Sequence, residues 1–245
     1  MKIQITAKSI YTLLMLTLLT SCAQKYTVNG STDLTALDGQ KLYLKIYNEN
    51  DMRNVDSCEV VHGQFHFSGV VDSTSMTTLF LDDVSLMPIV LEEGTITLVL
   101  DNVQQRVGGT PLNDTLTVFM DRFQKLNSQM DDLSHQQSQA IMNGEDEIEV
   151  NKRLNDAADR ILMQRDRLVT SFIEDNFDNV LGPGVFFLMT AATPYPELQP
   201  WIEALMSKAP DYFKNNEYVR DYYQKALRNQ DMMNGMINPN ENTNQ

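Results

Sequence analysis

Cysteine and basic residues are scarce in this chain of 245 residues. Its two cysteines cannot build a disulfide-rich scaffold, a four-cysteine zinc site or an iron–sulfur cluster. Only 19 Lys and Arg stand against 33 Asp and Glu, which gives a formal net charge of -14. A field of this sign repels phosphate backbones, so the composition excludes binding to nucleic acid through a basic patch. We therefore expect no nucleic acid among the partners.

The first 22 residues have the layout of a secretory signal. Lys2 and Lys8 precede a leucine-rich run that ends before Ser21 and Cys22. This run is shorter than the roughly 20 apolar residues that span a bilayer, so residues 1–21 are predicted to be a cleaved signal peptide. Two alternatives stay open, an ordinary secreted protein cleaved before Cys22 and an uncleaved membrane anchor.

The end of this segment, Leu19-Thr20-Ser21-Cys22, resembles a bacterial lipobox. The resemblance implies that Cys22 is acylated and that residues 22–25 form a lipidated N-terminus, anchored by several hydrocarbon chains. Loss of Lys2 and Lys8 with the signal changes the net charge to -16, because all 33 acids remain against 17 bases. The residues after Cys22 lack an acidic sorting signal, which favours an outer-membrane location facing the periplasm.

A period of two dominates residues 26–110. The segment from Lys41 to Tyr47 alternates apolar and polar residues, and further strands are predicted over 56–61, 65–71, 76–81, 87–91 and 95–100. His62-Gly63-Gln64 is predicted to be the turn of a hairpin that joins two of them. Short strands at this spacing are typical of an antiparallel β sandwich or a small barrel.

The period changes to that of a helix over residues 111–228, with Asn113 or Asp114 as the predicted N-cap. Apolar residues three or four apart define one face of a first helix: Leu116, Phe119, Phe123, Leu126, Met130 and Leu133. A second helix over 145–176 has a predicted apolar side: Ile148, Leu154, Ala158, Ile161, Leu168 and Phe172. The break at Asn143-Gly144 predicts an antiparallel helical hairpin, so the fold class is α+β. Short helices should follow, and residues 229–245 are predicted to be a disordered tail.

Several residues of the β region and of the start of the helical region form a recognisable pattern: Asp56, Ser57, Val60, Gly63, Phe65, Phe67, Gly69, Pro88, the segments 91–96 and 107–110, and Asn113. This pattern resembles the DUF4369 domain of Bacteroidota envelope proteins. Many such proteins continue into a thioredoxin-like domain with a Cys-x-x-Cys pair. The chain resembles the β module and helical spacer without that redox domain, so the resemblance implies no redox activity for it.

Cys58 is the one thiol that remains after lipidation of Cys22. Its neighbours Asp56 and Glu59 would raise a thiol pKa, so Cys58 is expected to pack as a small strand residue rather than to react.

His62 and His66 are a candidate metal pair, but they stand about 13 Å apart along an extended strand unless the turn at Gly63 folds them together. We expect both, and His135 on the polar face of the first helix, to be solvated. No metal or cofactor is predicted.

Three adjacent carboxylate pairs are candidate acid–base couples: Asp82-Asp83, Glu92-Glu93 and Asp131-Asp132. Adjacent residues of a strand point to opposite faces, so we expect no catalytic couple there, and Glu92-Glu93-Gly94 is predicted to be a turn. Gly108-Gly109-Thr110 lacks the ending of a phosphate-binding loop and is predicted to mark the boundary between the two regions.

Aromatic residues concentrate between positions 195 and 223. They are Tyr195, Trp201, Tyr212, Phe213, Tyr218, Tyr222 and Tyr223. Their helical spacing favours packing, and an interaction surface is the alternative.

Together these patterns predict a non-enzymatic lipoprotein that binds another envelope protein or a small envelope ligand. The alternative is an accessory to thiol-disulfide or peroxide chemistry, acting in trans with a thioredoxin-like protein.

Overall fold

The computed structural model describes residues 24–48, 51–102 and 105–235. Eight strands are followed by six α-helices within these residues, which confirms the predicted α+β class. The strands are β1 Gln24–Thr32, β2 Lys41–Asn48, β3 Asp51–Glu59, β4 Gln64–Val71, β5 Ser75–Leu81, β6 Val84–Leu91, β7 Gly94–Leu100 and β8 Gln105–Gly108. The helices are α1 Pro111–Met142, α2 Glu147–Asp175, α3 Leu181–Thr190, α4 Pro200–Lys208, α5 Asp211–Lys214 and α6 Glu217–Met233. The predicted signal peptide and Cys22 lie outside the described residues.

The strands form two four-stranded sheets, one in the order β4-β1-β7-β8 and the other in the order β3-β2-β5-β6. One pair departs from the predicted antiparallel arrangement, because β1 runs parallel to β7. Alternation of apolar and polar residues indicates which face of a strand is buried, but it carries no information on the direction of the neighbouring strand.

The predicted turn at His62 and Gly63 is confirmed, with φ angles of 52° and 71°. A side chain at Gly63 would also approach the carbonyl oxygen of Thr32 to 2.6 Å. The predicted hairpin is wrong beyond this turn, because only Val61 and Gln64 are bridged. β3 pairs with β2 and β4 pairs with β1, so the turn carries the chain from one sheet to the other.

A side-chain hydrogen bond also connects the two sheets. The buried Tyr26 of β1 donates its hydroxyl to a carboxylate oxygen of Asp56 on β3, at 3.0 Å. Gly69 pairs with Tyr26 across β1 and β4, and a Cβ there would lie 2.7 Å from the Tyr26 hydroxyl. Burial raises the pKa of Tyr26, and the bond to Asp56 and its charge raise this pKa further. The hydroxyl therefore stays protonated and remains a donor.

α1 and α2 form the predicted antiparallel hairpin. Phe119 of α1 is buried, and its ring centroid lies 4.4 Å from that of Phe172 on α2. Ile148 departs from the prediction, because its side chain is exposed and Val150 is buried instead. Val150 and Leu154 are four residues apart and share the buried face of α2, whereas Ile148 lies off that face.

A single cluster of buried side chains runs from both sheets into the helices. It includes Leu98 of β7, Phe119 of α1, Phe186 of α3 and Tyr222 of α6. The β region and the proximal part of the helical region therefore share one hydrophobic core. A second, smaller cluster of Ala140, Val150 and Leu154 lies at the far end of the hairpin.

The start of α1 is joined to the end of β6 by buried polar groups. The side chain of Asn113 accepts a hydrogen bond from the backbone N–H of Val90 at 2.9 Å and donates one to the carbonyl oxygen of Val90 at 2.8 Å. One carboxylate oxygen of Glu92 accepts from the backbone N–H groups of Leu112 and Asn113. We call Val90, Glu92 and Asn113 the α1–β6 junction.

This junction corrects the predicted cap of α1. The helix begins at Pro111, so Asn113 and Asp114 lie inside its first turn, and Thr110 at the N-cap position makes no capping bond through its side chain. The orphan N–H groups of the first turn are instead satisfied by Glu92, which the sequence separates from them by about 20 residues.

The last described helix corrects the predicted start of the tail. α6 continues to Met233, and the side chain of Asn229 donates to the carbonyl oxygen of Pro196 at 2.8 Å. Residues 229–233 are therefore helical, while 236–245 lie outside the described residues.

We predict that Asn113→Ala lowers the free energy of unfolding by about 3 kcal/mol, since two buried backbone groups of Val90 each lose a partner worth roughly 1–3 kcal/mol. Urea unfolding followed by circular dichroism measures the change. Asn155→Ala is the matched control, because Asn155 is exposed on α2 and its loss should change stability by no more than about 0.5 kcal/mol. Equal losses in the two variants would contradict a structural role for the junction.

Candidate functional site

Cys58 lies in β3 and packs against the main core, as expected. Burial raises the pKa of its thiol to about 11, and the charge of Asp56 adds to this effect, while a hydrogen bond with the backbone of His66 opposes it. The thiolate is the reactive form of cysteine, so Cys58 is a poor nucleophile at neutral pH.

The two candidate histidines occupy different environments. His62 is the first residue of the tight turn, and His66 projects from β4 with its Nδ1 2.9 Å from the side-chain oxygen of Asn29. His135 is exposed on α1. Among the residues that the structure describes, no three His, Cys, Asp or Glu side chains lie together as a group that could hold a metal ion.

The carboxylate pairs have separate structural settings. Asp82 and Asp83 form the turn between β5 and β6, where Lys45 donates to the carbonyl oxygen of Asp82 at 2.7 Å. Asp131 and Asp132 are exposed on α1. The predicted turn at Glu92-Glu93-Gly94 is present between β6 and β7, and the carboxylate of Glu92 caps α1. The predicted boundary at Gly108-Gly109-Thr110 also lies where β8 ends and α1 begins.

The aromatic stretch divides between the core and the surface. Phe213 and Tyr222 are buried, Trp201, Tyr218 and Tyr223 are half-buried, and Tyr195 and Tyr212 are exposed. Tyr218 packs edge-on against Tyr47 from β2, with ring centroids 5.5 Å apart, and both rings contact Phe187 of α3 at 4.9 Å. Tyr47, Phe187 and Tyr218 form what we call the aromatic triad, where the second sheet meets the C-terminal helices.

A cleft of about 370 Å³ opens beside the aromatic triad. Its walls are the end of β2, the end of α3, the loop over residues 191–199 and the first turns of α6. A second depression of about 230 Å³ adjoins the triad and shares Tyr47, Asn216 and Tyr218 with the cleft. The two hollows form the candidate site, which we call the tyrosine cleft.

The loop that forms one wall of the tyrosine cleft is attached to α6. The Tyr222 hydroxyl donates to the carbonyl oxygen of Glu197 and accepts from its backbone N–H, both at 3.3 Å. The side chain of Asn229 donates a hydrogen bond to the carbonyl oxygen of Pro196, the residue before Glu197. Burial raises the pKa of Tyr222, so its hydroxyl remains a donor to the loop. Pro194 and Pro196 restrict the backbone of this loop further, and the cleft is therefore preformed.

The phenolic oxygen of Tyr218 is a hydrogen-bond acceptor in the cleft. The hydroxyl of Thr190 donates to the carbonyl oxygen of Phe186 at 2.7 Å. The Tyr218 hydroxyl lies 3.0 Å from that of Thr190, and it donates to Thr190 when the Thr190 proton is directed at Phe186. Burial raises the pKa of Tyr218, which keeps its proton in place. The phenolic oxygen of Tyr218 thus retains a lone pair to accept from a ligand.

The α6 wall of the cleft carries charged side chains. Glu217, Asp221 and Lys225 follow each other at intervals of four residues, which places them on one face of the helix. Asp221 also pairs with the guanidinium of Arg220 at 2.9 Å. The site therefore combines aromatic and proline surface with both signs of charge. Tyr47, Thr190 and the loop prolines are the members that the aromatic stretch alone did not predict.

The described fold is an α+β arrangement of two four-stranded sheets and a helical region that share a core. Residues 26–116 match the family model of a domain of unknown function, DUF4369, so the chain carries a DUF4369 domain over these residues. The matched region ends within α1 and contains the whole α1–β6 junction. A search of the curated proteins gives no match. Within residues 24–48, 51–102 and 105–235, no helix is long and apolar enough to cross a membrane.

We predict that alkylation of Cys58 by iodoacetamide accelerates with a midpoint near pH 11 rather than near the ordinary thiol pKa of 9.0. At pH 8 the thiolate fraction should be about 100-fold smaller than for an ordinary thiol. Because the pKa of Cys58 is higher in the folded than in the unfolded chain, its contribution to the free energy of unfolding is fully present below pH 9 and is lost as pH rises through 11. Cys58→Ser measures the background from Cys22, and a midpoint at or below pH 9 for Cys58 would contradict the buried setting.

Proposed function

We propose that this protein is a non-catalytic binding module of the Bacteroidota cell envelope, anchored by lipid at Cys22 to the periplasmic side of the outer membrane. The observation that carries the proposal is the preformed tyrosine cleft. The larger of its two hollows, of about 370 Å³, falls within the range of ligand pockets, and its lining offers contact surface together with a few hydrogen-bonding groups.

The chemistry of the lining favours binding over catalysis. Of the described residues that line the two hollows, none is His or Cys, and the one Ser, Ser75, has no His beside it among them to act as its base. The hydroxyls of Thr190 and Tyr222 already hold the backbone of α3 and of the loop over 191–199. Aromatic faces, prolines and a tyrosine acceptor remain available to a ligand.

A protein is the partner that fits this surface best. Tyrosine is enriched where proteins meet, since it supplies large contact area at a small cost in side-chain entropy. Tyr195 is exposed on the loop that forms the cleft wall, and Tyr47 and Tyr218 are half-buried within the cleft. An apolar side chain of a partner can enter between them, while its polar neighbours meet Glu217 or Lys225 on the α6 wall.

Two further observations support an envelope location. The segment that ends in Cys22 has the basic, apolar and cysteine elements of a lipoprotein signal at the expected spacing. The DUF4369 match supports the resemblance to Bacteroidota envelope proteins on which the proposed source rests.

The alternative is an accessory to thiol-disulfide or peroxide chemistry that acts in trans with a thioredoxin-like protein. Such a role would have to operate through contact, because burial raises the pKa of the Cys58 thiol to about 11. Identification of a thioredoxin-like protein at the cleft, together with a change in cellular thiol oxidation on deletion, would favour this alternative.

We predict that a clickable fatty acid fed to the native cells labels the full-length chain and that Cys22→Ala abolishes the label. Cys58→Ala is the matched control and should leave labelling intact, since Cys58 packs against the protein core. Fractionation should place the labelled form in the outer membrane. Labelling that persists in Cys22→Ala would overturn the anchor.

We predict that a photo-cross-linking amino acid at position 217, on the wall of the cleft, captures an envelope protein in intact cells. The same group at Val84, which is exposed at the start of β6 and lies outside the cleft, is the matched control. Tyr218→Ala should weaken capture from position 217, because it removes the central ring and the acceptor of the cleft.

Equal capture from both positions would indicate nonspecific contact and contradict the proposal. No capture, combined with unchanged envelope complexes in a deletion strain, would also contradict it. A small molecule that co-purifies with the wild type and is lost in Tyr218→Ala would show that the cleft binds a small ligand rather than a protein.

A further inference from the structure

The far end of the α1–α2 hairpin carries exposed apolar side chains that the cleft does not involve. Met142 is 86% exposed, Ile148 is 80% exposed and Ile141 is 51% exposed, all within eight residues of the chain. Asn143 and Gly144 make the turn between the helices, with Gly144 at a φ of 76°. Together with the acidic residues between and beside them, Ile141, Met142 and Ile148 form what we call the hairpin tip.

The hairpin holds this tip away from the main core. Phe123 on α1 and Leu168 on α2 are the outermost hairpin residues that pack against that core, and residues 124–167, all of them described, add no buried side chain to it. A helix rises 1.5 Å per residue, so the 17 residues from Phe123 to Ala140 correspond to about 26 Å. An arm of this length brings the tip within reach of a partner while the body of the protein stays clear.

The tip is an ordered surface with a small core of its own. Ala140, Val150 and Leu154 are buried beneath it, and Leu133 packs against them. The carboxylate of Asp146 caps α2, and Arg153 pairs with Glu145 at 3.1 Å. The exposure of Ile141, Met142 and Ile148 therefore does not result from a frayed helix end, because the surrounding residues are packed and capped.

The charge around the apolar side chains is mostly negative, although Lys152 and Arg153 lie about one turn further along α2. Residues 141–149 contain Glu145, Asp146, Glu147 and Glu149 and no basic residue. Of these four acids, Asp146 and Glu145 have partners within the hairpin. The carboxylates of Glu147 and Glu149 flank the exposed side chain of Ile148 in sequence and are exposed.

From this combination we infer that the hairpin tip is a docking surface for a basic amphipathic segment of a partner protein. Ile141, Met142 and Ile148 contact the apolar residues of that segment, and Glu147 and Glu149 pair with its Lys or Arg side chains. This inference goes beyond the proposed function, since the tip shares no residue with the tyrosine cleft.

Two other occupants fit the same surface less well. A second copy would bring two acidic rims together, and three side chains supply on the order of a few hundred Å², well below the roughly 1,200 Å² of a stable interface. An anionic membrane would repel the same carboxylates. A short basic segment gains from the charge and needs only the small apolar area that the tip offers.

The inference is tested with the mature chain from residue 22, produced without its signal so that no lipid is attached. The probe is a fluorescent 18-residue peptide of Leu and Lys at helical spacing, and its matched control carries Glu in place of Lys. We expect the basic peptide to bind, as measured by fluorescence anisotropy, and the acidic peptide not to bind. Ile141→Ser, Met142→Ser and Ile148→Ser combined should weaken binding at least tenfold, although the net charge of the protein is unchanged.

A second variant tests the charges separately. Glu147→Lys combined with Glu149→Lys should weaken the basic peptide at least tenfold and reduce the dependence of binding on salt. Val84→Ser, which removes an exposed apolar side chain outside the tip, is the control and should leave binding unchanged. Circular dichroism checks that each variant keeps its helical content.

Several outcomes would overturn the inference. They are equal binding of the two peptides, unchanged binding in the triple serine variant, and absence of binding to the basic peptide. A concentration-dependent dimer in sedimentation that the triple variant loses would assign the tip to a second copy. Binding to phosphatidylglycerol vesicles that the triple variant loses would assign it to a membrane. Cross-linking from position 217 reports on the cleft alone, so failure of either proposal is distinguishable from failure of the other.

Discussion

The pairing of the Asn113 side chain with the backbone of Val90 is the interaction on which the arrangement of sheets and helices depends. A primary amide has the same donor and acceptor as a peptide group, so Asn113 completes the hydrogen bonding of β6 in the way that a neighbouring strand would. Glu92 directly follows the same strand, and its carboxylate caps the first turn of α1. Because these groups are buried, a shift of the helix along the strand would leave several of them unsatisfied at once. The start of α1 is thereby fixed relative to the second sheet.

The tyrosine cleft depends indirectly on the fixed position of α1. Once α1 is fixed, Phe119 meets Phe172 of the returning α2, and the short helices that follow are packed into the core shared with the sheets. That path brings Tyr218 of α6 back to Tyr47 of β2, from opposite ends of the described chain. The cleft is therefore composite, and its shape depends on the packing of the helical region on the β region rather than on a local motif. A hollow of this kind tolerates little relative movement of its walls, which suits a preformed binding site.

Local sequence patterns predicted much of this fold. They did not predict the contacts between residues that are far apart in sequence. The alternation at Lys41 to Tyr47, the turn at Gly63 and the hairpin break at Asn143 are local features, and the structure contains all three. The parallel pairing of β1 with β7 and the separation of β3 from β4 are set by which strands meet in space. Glu92 lies in the predicted turn, but its capping of α1 requires knowledge of where the helix starts in three dimensions. The aromatic stretch indicated Tyr218 and Tyr222, while no local signal connected them to Tyr47.

The buried polar groups and the exposed apolar groups have different roles in this molecule. Glu92, Asn113, Tyr26 and Tyr222 all have partners within the fold, and each partner is a group that would otherwise be buried or left without a bond. Such groups stabilise the structure, and their donors and acceptors are engaged in hydrogen bonds within the fold. The contact surfaces that we propose are the rings and prolines of the tyrosine cleft and the isoleucines and methionine of the hairpin tip. Both surfaces offer contact area, and we propose both as recognition sites: the tyrosine cleft carries both signs of charge, whereas the hairpin tip has an acidic border that favours a basic partner.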